Sequence, residues 1–411
     1  MKKLMVSLAA APLLLSAVAS ADVDMKVGGQ AVIYYETHQS GADDAPDMLD
    51  QKASAANVGV QLNLGADLGN NFTFGSQLSY LGTLGLENNL VSGIKQGDIN
   101  NQAAGGGSTA DDIMLSKLFI AKKIANTTLK LGRQELPKSL SPLAFTEGWN
   151  VFKNTFDAAL AINTDIPKTT IVGAWVGNAG GIMPTNGINK TVYGDMATIG
   201  SDGAYMLTAQ TKIIPLTTAT LTYYDATRTA HAFWADAKVG GKDLPLGLKF
   251  GAQYGMLMPE ADNTDDTTAI GVKAGATLGP VYLQVAYSTV DDGTAAVKNL
   301  GTGIKTPLYT QMIYNQNAIA KDADTFVLKG VLGLGDYGKV IAQYGMTSAG
   351  EKNINGENDY NELDVIYKVK AGGVTYWASA MIINTDKEAG IIGAPGADND
   401  AKVRLWGRYN F

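Results

Sequence analysis

Apolar and polar residues alternate with a period of two along this chain, in runs of about ten residues. That spacing puts the two sets on opposite faces of a β-strand. In "VDMKVGGQAVIYYE", Val23, Met25, Val27, Ala31, Ile33 and Tyr35 share one face, and Asp24, Lys26, Gln30 and Glu36 the other. "ANVGVQLNLGAD" sets Ala56, Val58, Val60, Leu62 and Leu64 against Asn57, Gln61 and Asn63. After the turn "DLGNN", Phe72, Phe74, Leu78 and Tyr80 resume the pattern. The C-terminal "VRLWGRYNF" places Val403, Leu405, Gly407, Tyr409 and Phe411 opposite Lys402, Arg404, Trp406, Arg408 and Asn410.

The gaps between runs are alternately short and long. Tight turns are expected at "KKIAN", "NTDIPK", "KIIPLTT", "GGKDLP", "LGP", "LGDYGK" and "KAGG" as well as "DLGNN". Asx, Gly and Pro gather there because turns need their backbone dihedrals. Longer polar stretches, among them 82–112 and 291–324, separate the other ends. About eighteen strands, with short turns at one rim and long loops at the other, predict an all-β, antiparallel transmembrane β-barrel. The segments 114–122 and 169–177 fit the alternation less well.

A soluble sandwich or solenoid is the rival fold. It is disfavoured because Lys249, Lys273, Lys329, Glu362, Asp364 and Arg404 fall mid-strand, where a dry core would reject them and a water-filled lumen would not. Tyr35, Phe72, Tyr80, Phe250, Tyr254, Tyr287, Tyr344 and Tyr409 lie near strand ends, where amphipathic rings suit a membrane boundary.

The N-terminus adds the route. Lys2 and Lys3, an apolar run from Leu4 to Leu15 and Ala19-Ser20-Ala21 predict a secretory signal peptide over residues 1–21, leaving a barrel over 22–411. Beyond it no apolar run is long enough for a spanning helix. The expected location is the bacterial outer membrane, with its lipids and lipopolysaccharide as surroundings. There is no cysteine, hence no disulfide or thiolate metal site. The formal charge of −7 becomes −9 once the two signal lysines are removed, which argues against a nucleic-acid partner.

"LKLGRQELPKSLSPLAFTEGWNVFKNTFDAALAIN", together with the terminal aromatic strand, resembles the major outer-membrane porins of epsilonproteobacteria and their OprD-like relatives. The resemblance implies an eighteen-stranded barrel whose third loop folds inward, and a homotrimer passing ions and small hydrophilic solutes. With only four arginines, the chain departs from the substrate-selective OprD pattern, so an arginine ladder is not expected.

The residues themselves point to the same loop. Residues 134–154 carry Leu136, Leu140, Leu143, Phe145, Trp149, Val151 and Phe152, too apolar for a surface loop. Packed on the inner wall, they would form the constriction. Its expected lining is Glu135 and Glu147 from the loop, facing Arg404, Arg408, Lys273, Lys329 and Arg133 on the wall. Strand parity sets Arg133 on the lipid side with Leu129 and Leu131, so it reaches the pore through a bulge or at the strand end. Further acidic lumen candidates are Asp24, Glu36, Asp157, Asp236, Glu362 and Asp364.

Catalysis finds no support. The two histidines, His38 and His231, have no partners visible in sequence, and the glycines of "GVLGLGDYG" belong to a turn. No cofactor is expected. The acidic stretches "GADDAPDMLD" and "EADNTDDT" are candidates for a divalent cation such as calcium, or simply solvated loops. The expectation is a passive diffusion porin, with a substrate-selective OprD-like channel or a surface adhesin as alternatives. Loop carboxylates predict mild cation preference, opposed by the lumen lysines.

Overall fold

The structure, a computed structural model, describes residues 24–41, 45–97, 112–148, 150–185, 188–241, 243–386 and 400–411. The expected signal segment 1–21, Val23, Asp43, Asp44 and Trp149 lie outside them.

The strands are β1 (Asp24–Gln39), β2 (Ser54–Gly69), β3 (Phe72–Gly82), β4 (Gln96–Gly97), β5 (Asp112–Ile124) and β6 (Thr127–Gln134). Then come β7 (Phe156–Asn163), β8 (Thr169–Thr185), β9 (Ile188–Thr198), β10 (Ala204–Thr211), β11 (Thr217–Ala226), β12 (Ala230–Gly240) and β13 (Lys249–Pro259). The last are β14 (Thr267–Leu278), β15 (Val281–Val290), β16 (Ala323–Gly333), β17 (Lys339–Ala349), β18 (Asn358–Ala371), β19 (Val374–Thr385) and β20 (Asp400–Asn410).

All twenty join one sheet. The two-residue β4 and the strand β9, which extends β8 as a hairpin, stand apart from the ring. The other eighteen pair antiparallel, each with its neighbour, and β1 pairs with β20 to close the barrel. This is the architecture of an outer-membrane barrel. All eight expected tight turns fall at one rim. The opposite rim carries the longer connections, with one exception: β11 and β12 are joined by residues 227–229 alone.

The faces follow the alternation inside out. Val27, Ile33, Leu62, Leu131, Leu207, Leu221, Val272, Leu328 and Leu405 are exposed on the outer wall, as are the rim rings Phe250, Tyr254, Tyr287, Tyr344 and Tyr409. Buried inside are Gln61, Gln77, Ser116, Thr222, Gln253, Thr347, Glu362, Asp364 and Arg404. Such an arrangement is stable only when lipid covers the outer face.

The poorly alternating segments are strands broken by bulges. The β3–β5 register shifts at Gln77/Leu78, so Leu115 and Leu118 both face outward although their numbers differ in parity. The β7–β8 register shifts at Asp157/Ala158. One extra residue flips every later side chain to the other face.

Candidate functional site

Among the described residues, the seventh loop joins the third in the lumen, and Lys95 and Gln96 of the second reach in beside them. In the third loop, residues 135–155, Leu136, Leu143, Phe145, Val151 and Phe152 are buried. At one side the carbonyls of Ser139 and Leu140 accept bonds from Gln210 Nε2 and Thr208 Oγ1, both at 2.9 Å. There the Leu143 amide also donates to Tyr224 Oη at 3.1 Å. At the far side the Phe152 amide donates to Gln96 Oε1 at 2.7 Å, and Arg408 Nη2 donates to the Val151 carbonyl at 2.8 Å. The loop therefore spans the barrel as a shelf.

The seventh loop, residues 291–322, packs against it. Val297, Ile304, Leu308, Met312, Ile319 and Ala320 are buried, and so is the side chain of Lys305. The Leu300 amide donates to the Leu143 carbonyl at 2.7 Å, and Asn299 exchanges bonds with the backbone of Phe145 at 3.0 and 2.7 Å. Sequence reading treats this stretch as an ordinary outer loop. Its signal is the same as the third loop's: Leu300, Ile304, Leu308, Met312, Ile313 and Tyr314 are too apolar for a solvated loop.

Glycines on the inner wall seat both loops. A Cβ at Gly59 would lie 2.7 Å from the Phe152 ring, and one at Gly251 would lie 2.7 Å from Tyr309 Oη. In a strand interior, glycine marks where another part of the chain approaches closely.

The expected lining residues separate into different groups. Glu147 is buried between the loops, where its Oε1 accepts from Asn299 Nδ2 at 2.7 Å, the Thr302 hydroxyl and the Lys305 amide at 3.2 Å. Glu135 forms ion pairs with Lys117 and with Lys153, the latter at 3.0 Å. Burial would raise the Glu135 carboxyl, but the two lysines outweigh it and hold it below the usual range. Neither glutamate meets Arg404. That arginine instead bonds Glu36 Oε2 through Nε at 2.8 Å and Nη2 at 2.6 Å, and Tyr314 Oη through Nη2 at 2.7 Å. Lys95 Nζ completes the cluster, 2.9 Å from Glu36 Oε1.

Arg133 keeps its strand parity. It stays with Leu129 and Leu131, donating to Asp157 Oδ1 at 2.8 Å and the Leu115 carbonyl at 3.0 Å. Asp157, its register partner on β7, lies on the same outer side by plain strand parity, opposite the buried Phe156 and Ala158. Arg408 supports the shelf from the wall.

Lys273 and Lys329 do meet. With Lys138 of the third loop and Lys238 of β12 they line a lumen compartment of about 450 Å³ beside Asp236, Gln253, Gln284 and Tyr309. Lys273 Nζ lies 4.0 Å from the Tyr309 ring centroid. Tyr309 Oη donates to Asp236 Oδ2 at 2.8 Å, and Lys238 Nζ pairs with Asp236 Oδ1 at 2.7 Å. Among the lining residues, four are cationic and one is a carboxylate. Burial, reinforced by Lys238, lowers the Lys138 ammonium to about 8, against the pull of Glu147. Burial likewise lowers Lys305 to about 8, although its Nζ donates to the carbonyls of Met312 at 2.9 Å and Ile313 at 2.6 Å.

His231, without visible partners in sequence, has them in the fold: Asp225, Glu260 and Tyr223 surround it at the outer rim.

No family model matches the chain, and no curated protein matches it by sequence. Solved structures match its fold. Pseudomonas aeruginosa OccK8 (OprE) superposes with a TM-score of 0.74 at 12% identity, covering 94% of this chain and 98% of that one. Acinetobacter baumannii OccAB4 gives 0.72 at 12% identity, with 94% and 98% covered. Pseudomonas aeruginosa OpdK, solved with vanillate, gives 0.72 at 13% identity over the same shares. The chain thus shares the eighteen-stranded closed barrel of the Occ and OprD channels.

Proposed function

We propose that the chain is an outer-membrane diffusion channel selective for small anionic solutes, carboxylates above all. The observation that carries this reading is the lysine-lined compartment between the two loops and the barrel wall. Lys138, Lys238, Lys273 and Lys329 face a shared water space with Asp236 as its one carboxylate. Low-dielectric walls focus the field of such a cluster and concentrate counter-ions along it. Lysine, a point charge on a flexible stem, attracts carboxylates without demanding the planar geometry of arginine. A scarcity of arginine therefore leaves selectivity intact. Gln253, Gln284, Gln311 and Tyr309 add neutral donors and acceptors along the same wall.

The likeness in fold to a channel solved with vanillate, a carboxylate, supports the same solute class. The acidic outer loops favour cations at the mouth, but the narrow path past the lysines sets the selectivity. In this reading residues 1–21 direct export and are removed. The assembly is a homotrimer, which cross-linking in native membranes tests. Liposome swelling tests the function: small aromatic or aliphatic carboxylates should enter faster than neutral sugars of equal size. Replacing Lys238, Lys273 and Lys329 by glutamine should erase the difference. Equal entry of both solutes in the parent protein marks a general diffusion porin instead.

A further inference from the structure

His231 opens β12 at the outer rim. It shares strand parity with Phe233, while the buried Trp234 occupies the inner face. Strand register sets Asp225 of β11 directly across from it. The tight connection 227–229, with Arg228 in the left-handed region at φ 55, leaves this part of the rim without a long loop. Arg228 is itself paired with Asp202. Glu260 follows β13, and its amide donates to the Thr229 carbonyl at 3.0 Å, which ties it to the same turn.

Three potential ligands converge as a result. His231 Nε2 lies 3.3 Å from Glu260 Oε1, and its Nδ1 lies 3.8 Å from Asp225 Oδ1. One donor atom from each residue falls within 4.8 Å of the others. Tyr223 Oη sits 2.9 Å from Nδ1, and its ring stacks on the imidazole with centroids 6.0 Å apart and planes 17° apart. When the tyrosine oxygen accepts the Nδ1 proton, the lone pair of Nε2 is left facing the Glu260 carboxylate. Two acceptors so placed repel each other unless a cation lies between them.

We propose that Asp225, His231 and Glu260 form a divalent transition-metal site of the zinc class, with Tyr223 orienting the histidine. Ligand atoms about 2.1 Å from a tetrahedral zinc stand about 3.4 Å from one another. The His231–Glu260 separation of 3.3 Å already meets that spacing. Asp225 is half exposed, and binding would require a change of its rotamer toward Nε2. The imidazole ligand selects zinc, copper or nickel over calcium and magnesium, which take oxygen alone. The fourth position opens to water. Orienting partners such as Tyr223 are part of a metal site, and their loss weakens binding by about 10- to 100-fold.

The test is calorimetric titration of untagged, EDTA-stripped protein in detergent with zinc at neutral pH, with excess calcium and magnesium present. One zinc per chain is expected. His231→Ala and Glu260→Gln should each weaken binding by about tenfold or more, and Tyr223→Phe by about tenfold. His38→Ala, which removes the other histidine, should leave it unchanged. Absent stoichiometric binding, binding that survives both His231→Ala and Glu260→Gln, or displacement by calcium overturns the site.

Discussion

Arg404 on the last strand and Glu36 on the first are register partners, and the arginine donates twice to the same carboxylate oxygen, at 2.8 and 2.6 Å. The seam of the barrel is thus closed by charge as well as by backbone bonds. Lys95 and Tyr314 join the pair from two different loops, so the seam also anchors the lumen's contents.

Breaking this pair should destabilise the barrel unequally from its two ends. Arg404→Met leaves Glu36 with Lys95 and should cost about 3 kcal/mol, the usual loss for one partner of a buried pair. Glu36→Gln leaves two cations facing each other and should cost more, about 4–5 kcal/mol. Urea unfolding in detergent micelles measures both. Equal, small effects would mean that the cluster is solvated well enough to need no partner.

The third loop should prove to be only half of the constriction. Deleting residues 138–150 removes the shelf, but the seventh loop beside it remains. Single-channel conductance should therefore rise partially, and rise further when residues 298–316 are shortened as well. Additive increases in planar bilayers support two stacked loops. A full increase from the first deletion alone would assign the narrowing to the third loop.

The clamp between the loops rests on Glu147. Glu147→Ala removes the acceptor for Asn299, Thr302 and the Lys305 amide. Asn299 Nδ2 keeps the Phe145 carbonyl, but the other buried donors lose a partner at about 1–3 kcal/mol each, a loss that falls on the loop pair and not on the strand ladder. The expected result is a noisy, flickering channel of normal barrel stability, seen in single-channel traces alongside unchanged heat-modified electrophoretic mobility.

Selectivity should also depend on pH within a narrow window. The Lys138 ammonium, lowered by burial to about 8, is charged at neutral pH and loses its proton as pH rises through that value. An ordinary lysine does so only near 10.4. Anion preference should therefore fall between about pH 7 and pH 9 in the parent protein. In Lys138→Gln it should start lower and change less. A preference that is flat across the window in the parent protein would remove Lys138 from the path.

Strand number and wall polarity were legible in the sequence because each rests on local alternation, and the burial of the third loop's leucines and phenylalanines follows from their being too apolar for a surface loop. The seal at the chain's end was legible too: the Phe411 amide and carbonyl both bond Gly29, at 3.0 and 2.8 Å. The destinations of single charges were not legible. Glu147 looks like a pore carboxylate until the seventh loop supplies Asn299 and Thr302 more than 150 positions away. Bulges hid the faces of Leu115 and Leu118, since a one-residue register shift leaves no mark in composition. His231 acquires Asp225 and Glu260 only through strand register. Inner-wall glycines such as Gly59 and Gly251 were the unread signal, for each marks a seat for a loop side chain.

The lysine compartment is tested most directly by the reversal potential across a planar bilayer holding the purified protein in a potassium chloride gradient. At about 0.1 M salt, screening over about 10 Å leaves the fields of closely spaced lumen lysines intact. The potential should take the sign of chloride preference, and should move toward zero when Lys238, Lys273 and Lys329 are replaced by glutamine. A potential with the sign of potassium preference in the unmodified protein would contradict the anion channel.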